Sequence, residues 1–246
     1  KRMTPMAIKA TFLGAHAIPK EYKENRQGYI DLIINKMLPI IAEEKLADYI
    51  DVFCDHGFFT VEETDQILKA GAKYGLKPKI HANELAISGG VQVGIKNGAV
   101  SVDHLERIGT DEIMALLDSN TMPTALPGTS FFLGIDYAPA RQMISAGLPV
   151  CLASDYNPGS TPSGKMAFVL TLACLKMGML PEEAINAVTI NGAVAMELLA
   201  DYGTIARGNK ANFFLTKPLS SMAMLPYYYG SDLIDTIFVN GRVQNE

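Results

Sequence analysis

Short apolar runs recur along this chain, and nearly every one leads into a segment of helical periodicity. The runs lie at 9–14, 50–54, 78–81, 100–104, 123–126 and 149–153. Residues 21–45, 60–74, 88–97, 110–118, 140–146 and 163–177 read as the helices that follow. In the first of these, Ile30, Ile33, Ile34, Met37, Leu38 and Ile41 fall three and four apart, on one helix face. Pro39 within it predicts a kink or a break, because proline lacks a backbone donor. Thr60 with Glu63 three residues on is a capping box. Thr110 and Ser163 read as further caps, and Pro181 suits the first turn of a later helix. Six strand–helix steps of this length predict an α/β fold with a parallel sheet buried on both faces.

Two architectures fit that alternation. An open doubly wound sheet calls for a glycine-rich phosphate loop after its first strand, and Gly14-Ala15-His16 is not one. A closed barrel gathers polar residues at the C-terminal ends of its strands, and His16, Asp55, His81, His104, Thr129 and Asp155 stand at such ends. The expectation is a partial (β/α)8 TIM barrel over residues 1–202 with about six of the eight units. Residues 203–246 are read as the C-terminal portion of a small β-sandwich domain, with strands at 212–216 and 233–243 and an Asn240-Gly241 hairpin signal. The opening Lys1-Arg2-Met3 enters a strand within a few residues, and we read the chain as N-terminally incomplete.

Composition narrows the class. A net charge of −5 with no basic run argues against a nucleic-acid surface. No apolar stretch is long enough to span a membrane. The 3 cysteines are widely spaced, which fits free thiols in a cytoplasmic protein. A small-molecule substrate is the expected partner; a homodimer is left open.

The strand-end residues carry the candidate chemistry, and each has a plainer role beside it. His81 and Asp155 suit a borderline divalent ion, although a catalytic zinc site ordinarily draws three ligands from the protein. Asp155 in Asp155-Tyr156-Asn157-Pro158-Gly159 is equally good turn chemistry. Glu84 can move a proton, or simply sit in a solvated first turn. His104 can donate to an oxyanion, or lie buried between strand and helix. Asn157, Gly159 and Ser160 form a loop whose backbone amides suit a carboxylate, or a tight turn. His56 beside Asp55 reads as a surface pair, and Tyr227-Tyr228-Tyr229 as packing.

Lys79-Ile80-His81-Ala82-Asn83-Glu84, Val102-Asp103-His104-Leu105 and Ala153-Ser154-Asp155-Tyr156-Asn157-Pro158-Gly159-Ser160 resemble the imidazolonepropionase family of the amidohydrolase superfamily. Thr11-Phe12-Leu13-Gly14-Ala15-His16 and Asp51-Val52-Phe53-Cys54 are similar to it as well. The resemblance implies hydrolysis of the ring amide of 4-imidazolone-5-propanoate to N-formimino-L-glutamate, with one Zn²⁺ or Fe³⁺. It implies His81 and Asp155 as metal ligands. It makes Glu84 the residue that holds and protonates a ring nitrogen. His104 polarises the carbonyl, or orients water with Asp155 as base. His16, Asn157, Gly159 and Ser160 contact substrate. The family's His-X-His ligand pair, and an arginine and a tyrosine that hold substrate, are absent from this sequence. Residues 1–246 alone are therefore expected to bind metal poorly and show no turnover; measured hydrolysis by this chain by itself would overturn that. Two other readings stay in view. One is a deaminase of guanine or a related ring, which needs no carboxylate loop. The other is a non-catalytic barrel, in which His81 and Asp155 point apart.

Overall fold

The structure, a computed structural model, describes residues 3–244. They fall into two compact units, one formed by Lys9–Thr124 with Ala146–Leu148, the other by Ala125–Ser145, Pro149 onward and the chain before Lys9. The first unit holds strands β1 (Thr11–Ala15), β2 (Tyr49–Cys54), β3 (Lys77–Ala82), β4 (Ser101–His104) and β5, which spans Met122–Ala125 and so ends at the other unit's first residue. Each runs parallel to the next. A short β6 (Cys151–Leu152) follows in the strand order. The six-stranded parallel sheet is the one the alternation predicts, except that the run at 149–153 shortens to two paired residues.

Register sorts the strand residues onto two faces. His81 lies opposite Phe53 on one side and Asp103 on the other; Lys79 lies opposite Asp51 and Ser101. Because strand side chains alternate, Asp51, Phe53, Lys79, His81, Ser101 and Asp103 share one face. The other face presents Ile50, Val52, Ile80 and Val102, all fully buried. Ile50 and Val52 form a core with Ile30, Ile33, Leu38, Ile67 and Leu68 from the flanking helices. So a polar row runs down one side of a sheet whose opposite side is packed shut, and the polar row carries the candidate site.

The helices differ from their expected form where a local rule lost to its neighbours. Pro39 neither breaks nor ends its helix. The run passes from Arg26–Leu32 through a π-helical turn at Ile33–Met37 into Leu38–Glu43, and the widened turn accommodates the missing donor. Thr60 does cap Val61–Ala72: its side chain accepts from Glu63 N, and Glu63 Oε2 accepts from Thr60 N at 2.9 Å. Glu63 also takes Arg26 Nε at 3.0 Å and Nη2 at 2.6 Å, tying two helices together. Thr110 is not a cap. It is the first helical residue, and Gly109 N donates to Glu112 Oε2 at 3.0 Å. Nor is Ser163, since that helix begins at Met166. Pro127-Gly128-Thr129, which follows the fifth strand, opens helix Pro127–Leu133, with proline in its first turn.

Helix Gly90–Lys96 lies close against the sheet, and glycine permits the approach. A Cβ on Gly90 would sit 2.5 Å from Ala82 Cβ and 3.0 Å from the Cys54 carbonyl oxygen. Neither atom can swing away. Gly90→Ala is therefore expected to destabilise the chain by about 1–3 kcal/mol, read from the midpoint of urea unfolding.

The second unit includes an antiparallel sheet of β7 (Phe213–Thr216), β8 (Ile234–Val239) and β9 (Arg242–Val243). Asn240 and Gly241 both adopt positive φ, 51° and 74°, as a type I′ hairpin turn requires. The tyrosine run closes a short helix, Met224–Tyr227, and Tyr229 packs on Phe168 with ring centroids 5.7 Å apart.

Candidate active site

Within the first unit, four side chains picked out by sequence converge at the ends of β1, β3 and β4. The His81 ring lies 5.7 Å from that of His16 and 5.3 Å from that of His104, centroid to centroid. His16 also stacks on Phe53 at 5.3 Å. Glu84 Oε2 is 3.6 Å from His104 Nδ1. Chain alternation alone would separate His104 from His81, because His104 pairs in register with Ala82, on the opposite face. Its φ of 86°, followed by 70° at Leu105, ends the pleat and turns the ring back. Such a conformation costs a non-glycine residue about 1–2 kcal/mol, and strain of this kind gathers at functional sites.

Burial and neighbouring charge set the electrostatics. Glu84 is 9% exposed, and burial raises its carboxyl above the ordinary range; Glu106 and Asp55 add to this, while His104 and His81 oppose it. Burial by itself would lower the His104 imidazole, but Glu106 and Glu84 outweigh it and hold its pKa above the usual value. Glu106 Oε2 stands 3.7 Å from His104 Nδ1, with its side chain fully buried. A carboxyl and an imidazole, both shifted towards their protonated forms, are therefore side by side, an arrangement fit for proton donation.

Three residues of this face group as metal-ligand donors. Asp51, His81 and Asp103 each offer an atom within 4.8 Å of the others. Asp51 Oδ1 is 3.0 Å from His81 Nδ1. Asp103 Oδ1 is buried without a hydrogen-bond partner. A nitrogen and two carboxylate oxygens, one of them unsatisfied, fit a divalent cation.

Asp55 is not half of a surface pair. It is buried, whereas His56 is exposed. Its Oδ2 accepts from Glu84 N at 2.8 Å and Leu85 N at 3.0 Å, and its Oδ1 from Ala86 N at 3.2 Å and His56 N at 2.6 Å. One carboxylate thus gathers the loop that presents Glu84. Asn83, fully buried with φ 55°, makes the bend before it. The readable signal for Asp51 and Asp55 was an aspartate inside, and another directly after, a strand otherwise made of buried apolar residues.

Asp155, Asn157, Gly159 and Ser160 belong to the other unit. Asp155 has φ 50° and its Oδ2 accepts from Thr129 Oγ1 at 2.6 Å and Ser160 Oγ at 3.4 Å. It caps no helix. The amides of Gly159 and Ser160, which suggested a carboxylate cradle, each donate to Asn157 Oδ1 at 2.8 Å. Asn157 Nδ2 in turn donates to the Asp155 carbonyl at 2.8 Å. The loop is locked by its own side chain, and a substrate carboxylate would have to displace Asn157 to use those two donors.

A parallel strand–helix array with histidines and carboxylates at its strand ends defines a class, and the chain belongs to the amidohydrolase family, whose model matches residues 39–243. It is 59% identical over 239 residues to the imidazolonepropionase of Flavobacterium johnsoniae and 52% identical over 238 residues to that of Christiangramia forsetii. Each match covers 97% of this chain and 58% of the relative, so the chain spans under two thirds of their length. Among solved structures, an adenosine deaminase from Xanthomonas campestris with bound zinc superposes with a TM-score of 0.69 at 13% identity, over 94% of this chain and 59% of that one. Atrazine chlorohydrolase from Arthrobacter aurescens TC1 complexed with zinc gives 0.68 at 18%, over 87% and 55%. Among the described residues, no helix is long and apolar enough to cross a membrane.

Proposed function

We propose that this chain is part of an imidazolonepropionase, which hydrolyses the ring amide of 4-imidazolone-5-propanoate to N-formimino-L-glutamate in histidine degradation. The observation that carries the reading is the 59% identity to such an enzyme along 97% of the chain, which takes in every strand-end residue of the site. Residues 1–202 are the barrel portion and 203–246 part of the β-sandwich domain. The free cysteines suit a cytoplasmic enzyme.

His81 and Asp155 are the ligands this chain contributes to one Zn²⁺ or Fe³⁺. When bound, such an ion lowers the pKa of water towards about 7 and makes hydroxide available. The remaining work falls to side chains. His104 donates a hydrogen bond to the ring carbonyl, on which negative charge develops as water adds. Asp155 accepts the proton of the attacking water. The C–N bond then breaks, and Glu84 delivers a proton to the departing ring nitrogen. Burial shifts Glu84 towards the protonated form that this step needs. His16, with Asn157, Gly159 and Ser160, binds the ring or the propanoate.

The test is a substrate comparison on the full-length protein. Turnover of imidazolone propanoate with none of guanine or related purines supports the reading, and purine deamination in its place overturns it. Metal analysis of the same preparation identifies the ion, and a metal-free active enzyme would remove the ligand roles of His81 and Asp155.

A further inference from the structure

The polar row on β2, β3 and β4 contains one pair that neither the family reading nor the chemistry above uses. Asp51 Oδ1 lies 3.0 Å from His81 Nδ1, and the two side chains are 5% and 15% exposed. Register explains the meeting. Phe53 is the neighbour of His81 on β2, so Asp51 stands one side-chain layer below it on the same face. A buried carboxylate accepts hydrogen bonds and does not donate them. The proton in the pair is therefore on the imidazole, at Nδ1, and the ring's lone pair is on Nε2.

From this geometry we infer that Asp51 is a positioning residue for His81. It selects the Nδ1–H tautomer, fixes the ring's rotation and leaves Nε2 as the ligating nitrogen. A ligand histidine whose other nitrogen is held by a carboxylate binds its metal more tightly, because the ring is pre-oriented and more basic. Asp103 stands beside the pair as the register neighbour of His81 on β4. The competing arrangement uses the same three residues differently: an ion coordinated by Asp51, His81 Nδ1 and Asp103, with no hydrogen bond between Asp51 and the ring.

The purpose assigned to Asp51 rests on His81 being a metal ligand, but the tautomer can be read without metal. The full-length protein, stripped of metal and labelled with ¹⁵N at histidine, is examined by long-range ¹H–¹⁵N correlation at alkaline pH. The His81 ring signals are assigned with a His81→Gln variant. Nδ1–H is expected to exceed the Nε2–H form at His81 by about ten-fold or more, the preference a charge-assisted hydrogen bond supports. Asp51→Ala should return the ring towards the Nε2–H form that free histidine prefers. Asp51→Asn keeps an acceptor oxygen and the side-chain volume, and should retain part of the preference even where the alanine variant does not fold. A wild-type ring in the Nε2–H form, or a preference unchanged in the asparagine variant and in a folded alanine variant, overturns the inference. Added Zn²⁺ should then shift Nε2 and leave the Nδ1 proton in place, with binding about 10–100-fold weaker in Asp51→Ala. A shift at Nδ1 with loss of its proton overturns the inference in favour of the three-residue ion. Nδ1–H in place with neither nitrogen responding to Zn²⁺ supports the hold of Asp51 on the ring and removes instead the metal role of His81.

Discussion

Glu84→Gln in the full-length enzyme is expected to lower turnover of imidazolone propanoate by about 10²–10⁴, the usual contribution of a positioned proton donor. The same change should not weaken the fold. Burial raises the Glu84 pKa in the folded state. A group shifted in that direction contributes stability fully below its unfolded pKa and loses it as pH rises through the folded value. At neutral pH, above the ordinary pKa of a glutamate, burying Glu84 is thus a cost, and the neutral amide of glutamine removes it. The variant should unfold at a urea concentration equal to or above that of the unaltered protein at neutral pH. The difference should shrink as the pH falls into the range where Glu84 is protonated in both states. Lost activity together with lost stability at neutral pH would mean that Glu84 serves the fold, and the acid assigned above would be wrong.

Asp55→Ala should have the opposite signature. Removing the carboxylate leaves the amides of His56, Glu84, Leu85 and Ala86 without the acceptor they now share. An unsatisfied buried amide costs about 1–3 kcal/mol, and water entering the loop will relieve part of the total. We expect a loss of about 3–5 kcal/mol in urea unfolding, at the upper end for single substitutions. Asp55→Asn keeps one acceptor oxygen and should lose less. Hydrogen exchange supplies the local check: the amides of Glu84, Leu85 and Ala86 should exchange faster in either variant, while those of β7 and β8 stay as they were. Unchanged protection at 84–86 would show that another group holds the loop.

The stability loss at Asp55 and the turnover loss at Glu84 separate two jobs that lie within one loop. They also mark where sequence reading stops. Glu84 was legible because it follows a strand-end histidine at short range and matches a family motif. Asp55 was visible only as a polar residue beside His56, since its role is made of backbone donors about thirty positions further on. Side-chain type does not announce which amides a carboxylate will collect. His104 was legible as a candidate but not in its placement. Alternation puts it on the helix side of the sheet, and only the left-handed backbone at His104 and Leu105 returns it to His81. No residue type other than glycine signals such a turn reliably. At Asn157 the turn chemistry was legible, but not that the Asn157 side chain itself would take up the amides of Gly159 and Ser160.

Taken alone, the sequence determined the strand–helix alternation, the parallel sheet and the residues standing at its strand ends. These follow from local hydrophobic period and turn chemistry, which act within a few residues of chain. The pairing of Asp51 with His81, the gathering of amides by Asp55 and the rotation of His104 were decided by tertiary structure. Each depends on the register between neighbouring parallel strands or on the sign of one backbone dihedral. Those quantities are fixed only when helices pack Ile50, Val52, Ile80 and Val102 away from water and hold the polar row in line.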